Sequence, residues 1–175
     1  MKLTVVRHTS VNVPTGVCYG FTDVPLNISF EKEAFTVKES LGRETFDRVY
    51  SSPLSRCTLL AGYCGFSNPE LDARLKELNF GDWEMKPWME IDQIEAKAWF
   101  ADWLNFPAKN GESYTMMQKR VNAFMDDIKF KKNENICIFT HGGVIRLIHV
   151  YLGLYSLEES FEFPVEYGQI FYFNL

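Results

Sequence analysis

Apolar positions along this chain fall into short blocks separated by longer stretches of helical spacing. Leu3 to Val6 is a brief apolar, β-branched run that ends abruptly at Arg7-His8-Thr9-Ser10. A run this short and continuous fits a strand buried on both faces. Asp47 to Tyr50, Asn135 to Phe139 and Gln169 to Phe173 read the same way, and Leu71 to Arg74 fits a shorter strand. Ser29 to Leu41 has helical spacing and stops at Gly42, a residue suited to a helix C-terminus. Ser52-Pro53 opens a helix that runs to Cys64, because Ser suits the N-cap and Pro the first helical position. Helical patterns also cover Trp88 to about Phe106, Ser113 to Lys131 and Val144 to Leu154. The segment from Asn12 to Asn27, with Pro14, Gly16, Gly20 and Pro25, is a loop. Strands alternating with helices predict an α/β fold, a three-layer α/β/α sandwich around a mostly parallel central sheet, forming one domain over residues 1–175.

Composition narrows the partners. A chain of 175 residues with 46% hydrophobic and 23% charged positions can bury a core, which excludes disorder. No apolar run approaches the ~20 residues of a membrane span. The net charge is −5 and the basic block is Lys129-Phe130-Lys131-Lys132, so a nucleic-acid surface is not expected. The N-terminus shows no apolar stretch of the ~7–15 residues that a secretory signal needs, which makes the cytoplasm the expected compartment. Cys18, Cys57, Cys64 and Cys137 form no C-x-x-C pair. On a helix, Cys57 and Cys64 would stand about 10 Å apart, too far to bridge, so free thiols are expected. Three separated histidines without clustered carboxylates predict no metal, and no dinucleotide, P-loop or serine-hydrolase motif is present, so no cofactor is expected.

Open α/β sheets bind ligands beyond the carboxyl ends of their strands. Arg7 and His8 follow the first predicted strand, Arg56 sits in the first turn after the second, Glu77 follows the third, and His141 follows Asn135–Phe139. Taken singly, each is ordinary: a surface Arg-His pair, a solvated helix arginine, a loop carboxylate, and a tight turn at Gly142-Gly143. Together they place two imidazoles, two guanidiniums and a carboxylate at one sheet edge. Arg7 and Arg56 can clamp a phosphate bidentately, and Gly142 can offer a backbone N–H to an anion at a helix start. A neutral His8 among arginines is a competent nucleophile toward phosphorus. His141 can donate to a phosphoryl oxygen, and Glu77 can protonate the leaving alkoxide. Phosphate monoester hydrolysis needs accelerations up to about 10²¹-fold, whereas a general acid supplies about 10²–10⁴, so several groups must act together. His149 lies eight residues beyond His141 and reads as a packed, structural histidine.

The blocks Val5-Val6-Arg7-His8-Thr9, Ser51-Ser52-Pro53-Leu54-Ser55-Arg56-Cys57, Leu75-Lys76-Glu77-Leu78-Asn79-Phe80-Gly81-Asp82-Trp83-Glu84 and Thr140-His141-Gly142-Gly143-Val144 resemble the signatures of the histidine phosphatase, or phosphoglycerate mutase-like, superfamily. They occur in the family's order and span nearly the whole chain. The resemblance implies a phosphorylated His8, a phosphate pocket of Arg7, Arg56 and His141, Glu77 as proton donor, and a small-molecule phosphate monoester as substrate. Within the family, the loop Val13 to Leu26 is similar to that of α-ribazole phosphatases, which implies α-ribazole 5′-phosphate as substrate and brings Tyr19 and Gly20 into its binding. A broader small-molecule phosphatase, a protein phosphohistidine phosphatase and a non-catalytic phosphate-binding module remain alternatives. The sequence departs from the family at three places. Thr9 replaces the glycine after Arg-His, Met85 replaces the glycine after Trp-Glu, and the spacing leaves Asn12 without the phosphate contact of the mutases' downstream asparagine. In the Trp-rich segment, Trp99, Trp103 and Phe106 share a helical face expected to meet the core. Trp88 or a neighbour is the candidate to stack on an aromatic substrate.

Overall fold

Alternating side chains in the central strands face two different cores. The computed structural model describes residues 1–131 and 133–175, which leaves Lys132 of the basic block outside the described residues. In chain order the elements are β1 (Lys2–Arg7), α1 (Phe30–Leu41), β2 (Arg48–Ser51), α2 (Ser55–Tyr63), β3 (Glu70–Leu71), α3 (Gln93–Ala101), α4 (Tyr114–Ile128), β4 (Asn135–Thr140), α5 (Gly142–Tyr151), α6 (Leu157–Ser160) and β5 (Ile170–Asn174). The sheet order is β3-β2-β4-β1-β5. All neighbours pair in parallel except β5, which runs antiparallel to β1 at the edge. Leu3, Val5, Ile136 and Ile138 pack with Met117, Val121 and Phe124 of α4 and with Val144 and Ile148 of α5. Val6, Cys137 and Phe139 point the other way, onto Ala34 and Val37 of α1 and Leu60 and Ala61 of α2. This sidedness makes the three layers, and burial on both faces explains why the strands lack polar alternation.

Register sets the site. β1 and β4 run parallel with Val6 opposite Phe139 and Arg7 opposite Thr140. The His8 N–H continues the ladder to the Thr140 carbonyl at 3.0 Å, so the next residues, His8 and His141, emerge side by side.

Three predicted elements differ. Ser52 does not cap α2, which starts only at Ser55 after Leu54. Asp23 in the long loop supplies the acceptor instead, taking the Ser55 N–H at 2.9 Å and the Ser55 hydroxyl at 2.7 Å. The Leu71–Arg74 strand is two residues, Glu70–Leu71, because Asp72 accepts the Arg74 N–H and turns the chain into a 3-10 turn over Ala73–Leu75. The Trp88–Phe106 helix is broken: a 3-10 turn at Trp88–Glu90 precedes α3, whose N-cap is Asp92 and which stops at Ala101. α6 lies in a stretch without a predicted element, and its capping box of Ser156 and Glu159 is the signal that marks it. Among the described residues, no helix is long and apolar enough to cross a membrane.

Candidate active site

The carboxyl ends of β1, β2 and β4 and the loop after β3 converge on a cleft of about 240 Å³. Its charged floor is made by Arg7, His8, Arg56 and Glu77, and its walls by Tyr19, Phe80, Tyr114, Phe161 and Arg146.

His8 is almost fully buried. Its Nδ1 lies 2.7 Å from the Thr9 carbonyl oxygen. A carbonyl only accepts, so Nδ1 carries the hydrogen and Nε2 keeps its lone pair. Burial holds the His8 pKa well below the ordinary 6.5, and the Arg56 and Arg7 charges push the same way. Thr9, where the family has glycine, does not have a left-handed backbone. Nothing in the local geometry calls for glycine there. Its own buried hydroxyl has no partner among the described residues.

Arg56 has no exposed surface. Its terminal nitrogens donate to the Gly20 carbonyl at 2.6 Å and the Thr22 carbonyl at 3.0 Å, and its Nε donates to His141 Nδ1 at 3.2 Å. His141 must therefore carry its hydrogen on Nε2, which meets the Ser52 hydroxyl at 2.8 Å. Burial pushes the His141 pKa well down as well, reinforced by Arg56 and His8. The two rings stand 5.1 Å apart, centre to centre. Cys57 lies beneath, with Sγ 3.6 Å from His141 Nε2, and burial raises its thiol pKa.

Arg7 donates to the Val165 carbonyl and lies over the Tyr167 ring at 3.9 Å, and its buried Nε has no partner among the described residues. Among the described residues, Arg7, Arg56 and Arg146 form no ion pair with a carboxylate. A buried guanidinium without a counter-charge is costly. The arrangement suits an anionic ligand that supplies one.

Glu77 faces this cluster from the β3 side. Its carboxylate accepts the Leu78 and Gly143 N–H groups, each at 3.0 Å. Its backbone is braced by Arg120, which donates to the carbonyls of Glu77, Lys76 and Arg74 and pairs with Glu112 at 2.6 Å. A Cβ on Gly143 would stand 2.3 Å from the Glu77 carboxylate, so any side chain there would have to displace Glu77.

Of the predicted site residues, Arg7, His8, Tyr19, Arg56 and Glu77 line the cleft, with His141 packed behind His8. Gly142 and Gly20 require correction. Gly143 lines the cleft and gives its N–H to Glu77, while Gly142 sits beside the Arg7 guanidinium and is not part of the lining. Gly20 acts through Arg56: its carbonyl orients the guanidinium, and it is glycine because a Cβ would fall 1.8 Å from the Leu78 oxygen. Trp88 is also absent from the cleft wall and packs on Phe80, Trp83, Trp99 and Phe100. Trp99 is buried as expected, but Phe106 lies beyond α3 and is exposed. Asn12 is exposed on the loop. His149 is buried among Phe163, Phe171 and Phe173, and the cysteines are free. Ser52, Arg146 and Tyr167 complete the site and were missed. Tyr167 hydrogen-bonds the Tyr19 hydroxyl at 2.8 Å across the cleft mouth. Arg146 alone had a readable signal, lying one helical turn past Gly142 on the same face.

Comparison with known proteins places the chain among phosphatases. The chain is 32% identical over 177 residues to the adenosylcobalamin/alpha-ribazole phosphatase of Salmonella typhimurium strain LT2, covering 96% of this chain and 87% of that one. It is 30% identical over 178 residues to the protein of that name from Escherichia coli K12, with the same coverage. The crystal structure of the alpha-ribazole phosphatase from Shigella flexneri superposes with a TM-score of 0.90 at 27% identity, covering 100% of this chain and 91% of that one. The family model of the histidine phosphatase superfamily (branch 1) matches residues 3–174, and with the two histidines, two arginines and carboxylate gathered at one sheet edge, the chain belongs to that superfamily and is a phosphatase.

Proposed function

We propose that this protein hydrolyses a small-molecule phosphate monoester through a phosphohistidine at His8, with α-ribazole 5′-phosphate of cobalamin synthesis as the substrate. The observation that carries the reading is the His8 tautomer: a neutral, buried imidazole with a free Nε2, lining the same cleft as Arg7 and Arg56, neither of which pairs with a carboxylate among the described residues. Arg7 and Arg56 hold the phosphoryl oxygens. His8 Nε2 forms a bond to phosphorus as the bond to the ester oxygen breaks. Glu77 gives that oxygen a proton, and the alcohol leaves. Water then attacks the phosphohistidine, Glu77 takes back a proton, and inorganic phosphate is released. Phosphate charge beside His141 favours its protonation, so that it donates to a phosphoryl oxygen in both steps. The sequence acts as one domain over residues 1–175, and its free cysteines suit a reducing compartment such as the cytoplasm.

The substrate assignment draws on the names of the similar enzymes and on the aromatic outer wall of Tyr19, Phe80, Tyr114 and Phe161, which suits a flat base. The test is an EDTA-treated assay of wild-type protein and His8→Ala against α-ribazole 5′-phosphate, a sugar phosphate and a phosphohistidine protein. Wild type should turn over the riboside phosphate with the highest kcat/KM and leave an alkali-stable phosphoprotein after rapid quench. His8→Ala should show neither. Turnover surviving in His8→Ala would overturn the mechanism. A higher kcat/KM for either other substrate would overturn the substrate assignment alone.

A further inference from the structure

Glu84 stands outside the cleft, partly buried beyond the catalytic loop, yet it accepts more backbone hydrogen bonds than any group inside it. Its carboxylate takes the N–H groups of Gly20 at 3.0 Å, Phe21 at 2.9 Å, Thr22 at 3.0 Å and Phe80 at 3.1 Å. Among the described residues no cation pairs with it. Burial pushes its pKa up, but hydrogen bonds from Thr22, Phe21 and Gly20 outweigh that and keep it below the ordinary value. The flanking backbone is joined as well: Met85 N–H donates to the Cys18 carbonyl at 2.7 Å, and Cys18 N–H to the Lys86 carbonyl at 2.9 Å.

The same short loop turns its carbonyls to the catalytic side, where Gly20 and Thr22 hold the terminal nitrogens of Arg56. One peptide therefore connects the two charges. In the trans Gly20–Phe21 unit the N–H and C=O point in opposite directions. Its N–H meets Glu84 and its C=O meets Arg56. The peptide dipole, about 3.5 D, lies with its positive end toward the carboxylate and its negative end toward the guanidinium. Each hydrogen bond then polarises the other.

We propose that Glu84 is a positioning residue for the phosphate site: through the Gly20–Phe21 peptide it holds the Arg56 guanidinium in the orientation that meets a phosphoryl group. The proposal rests on the phosphatase reading of the cleft. A loop staple with no link to Arg56 would affect stability alone, so the test must separate phosphate affinity from stability.

Full-length wild type, Glu84→Gln and Glu84→Asp are compared for inorganic phosphate binding by titration calorimetry, for kcat/KM and for Tm. Asp72→Asn serves as the control, since Asp72 caps a turn and pairs with Arg74 without touching Arg56. In Glu84→Gln the amide NH₂ faces backbone N–H groups, whichever way it turns. Phosphate affinity and kcat/KM should each fall about tenfold or more, the scale for lost hydrogen bonds to a charged group. Glu84→Asp, which keeps the charge on a shorter stem, should fall in between. Asp72→Asn should lose stability and keep its phosphate affinity. The proposal is overturned if Glu84→Gln binds phosphate within about twofold of wild type, or no more weakly than Asp72→Asn when each is measured at the same interval below its own Tm. If Glu84→Gln does not fold, Glu84→Asp is judged by the same criterion. Wild-type protein that binds phosphate without turning over any ester would overturn the phosphatase reading while leaving the Glu84 comparison readable.

Discussion

At the scale of single residues, backbone and protonation explain what residue type alone does not. His8 suits the proposed nucleophilic role because the Thr9 carbonyl takes its Nδ1 hydrogen and burial keeps it neutral. Met85 is a different case. It stands where the family has glycine, and its φ of 63° is in the left-handed region. A side chain there costs roughly 1–2 kcal/mol. Met85 is 44% exposed, so it recovers little of that cost through packing. Met85→Gly relieves the strain but gives the unfolded chain more freedom, an opposing effect of roughly 0.5–1 kcal/mol. The expected outcome is a net stabilisation of about 0.5 kcal/mol, read as a higher urea midpoint with an unchanged m-value. A lower midpoint would mean that Met85 makes contacts that outweigh its backbone strain. Glycine keeps the backbone bond from position 85 to the Cys18 carbonyl and leaves Glu84 in place, so the variant should keep its phosphate affinity.

Among the elements, what sequence could disclose divides along the line between local and tertiary causes. Arg7, His8, Arg56, Glu77 and His141 were legible because strand ends are marked locally, by an apolar run that stops at a polar residue. The start of α2 was not, since its capping oxygen comes from Asp23 in a distant loop while Ser52 is drawn to His141. The Trp-rich spacing suggests one helix from Trp88 to Phe106, but the Asp92 side chain caps a separate start at Gln93 and the helix stops at Ala101. Gly143 shows how an element end becomes functional. At the start of α5 it offers its N–H to Glu77 and leaves the space that the carboxylate occupies. Gly143→Ala should displace Glu77 without disturbing the phosphate clamp. Turnover should drop by about 10²-fold or more, within the range for a lost general acid, while affinity for inorganic phosphate holds. Esters with a good leaving group, such as p-nitrophenyl phosphate, should lose much less in the leaving-group step. An equal loss for both ester types would show that Gly143 serves something other than proton delivery.

Taken whole, the molecule buries its titratable catalytic machinery in a fold that must tolerate it. The sheet order and parallel register place His8 and His141 side by side, so both imidazoles are desolvated together and both have lowered pKa values. In the unfolded chain each histidine titrates near its ordinary 6.5. Between that value and the lower folded pKa, the unfolded state binds more protons than the native one. Stability therefore rises with pH across this window and is lost as pH falls below about 6.5, by roughly 1.4 kcal/mol per pH unit for each fully neutral histidine. His149, also lowered by burial, adds in the same direction. Glu33, Asp72 and Glu84 have lowered folded pKa values too, but their contribution is lost only as pH falls below the ordinary carboxylate range near 4. The interval from pH 5 to 6.5 thus isolates the histidines. Urea unfolding across it should show stability falling as pH falls, with a limiting slope of about 1.4 kcal/mol per pH unit for each histidine that stays neutral in the fold. In His8→Asn, which removes one titrating ring, the slope should fall, while the part that comes from His141 and His149 remains. An unchanged slope in that variant would show that His8 is already protonated in the folded protein, and a cationic ring cannot serve as the nucleophile.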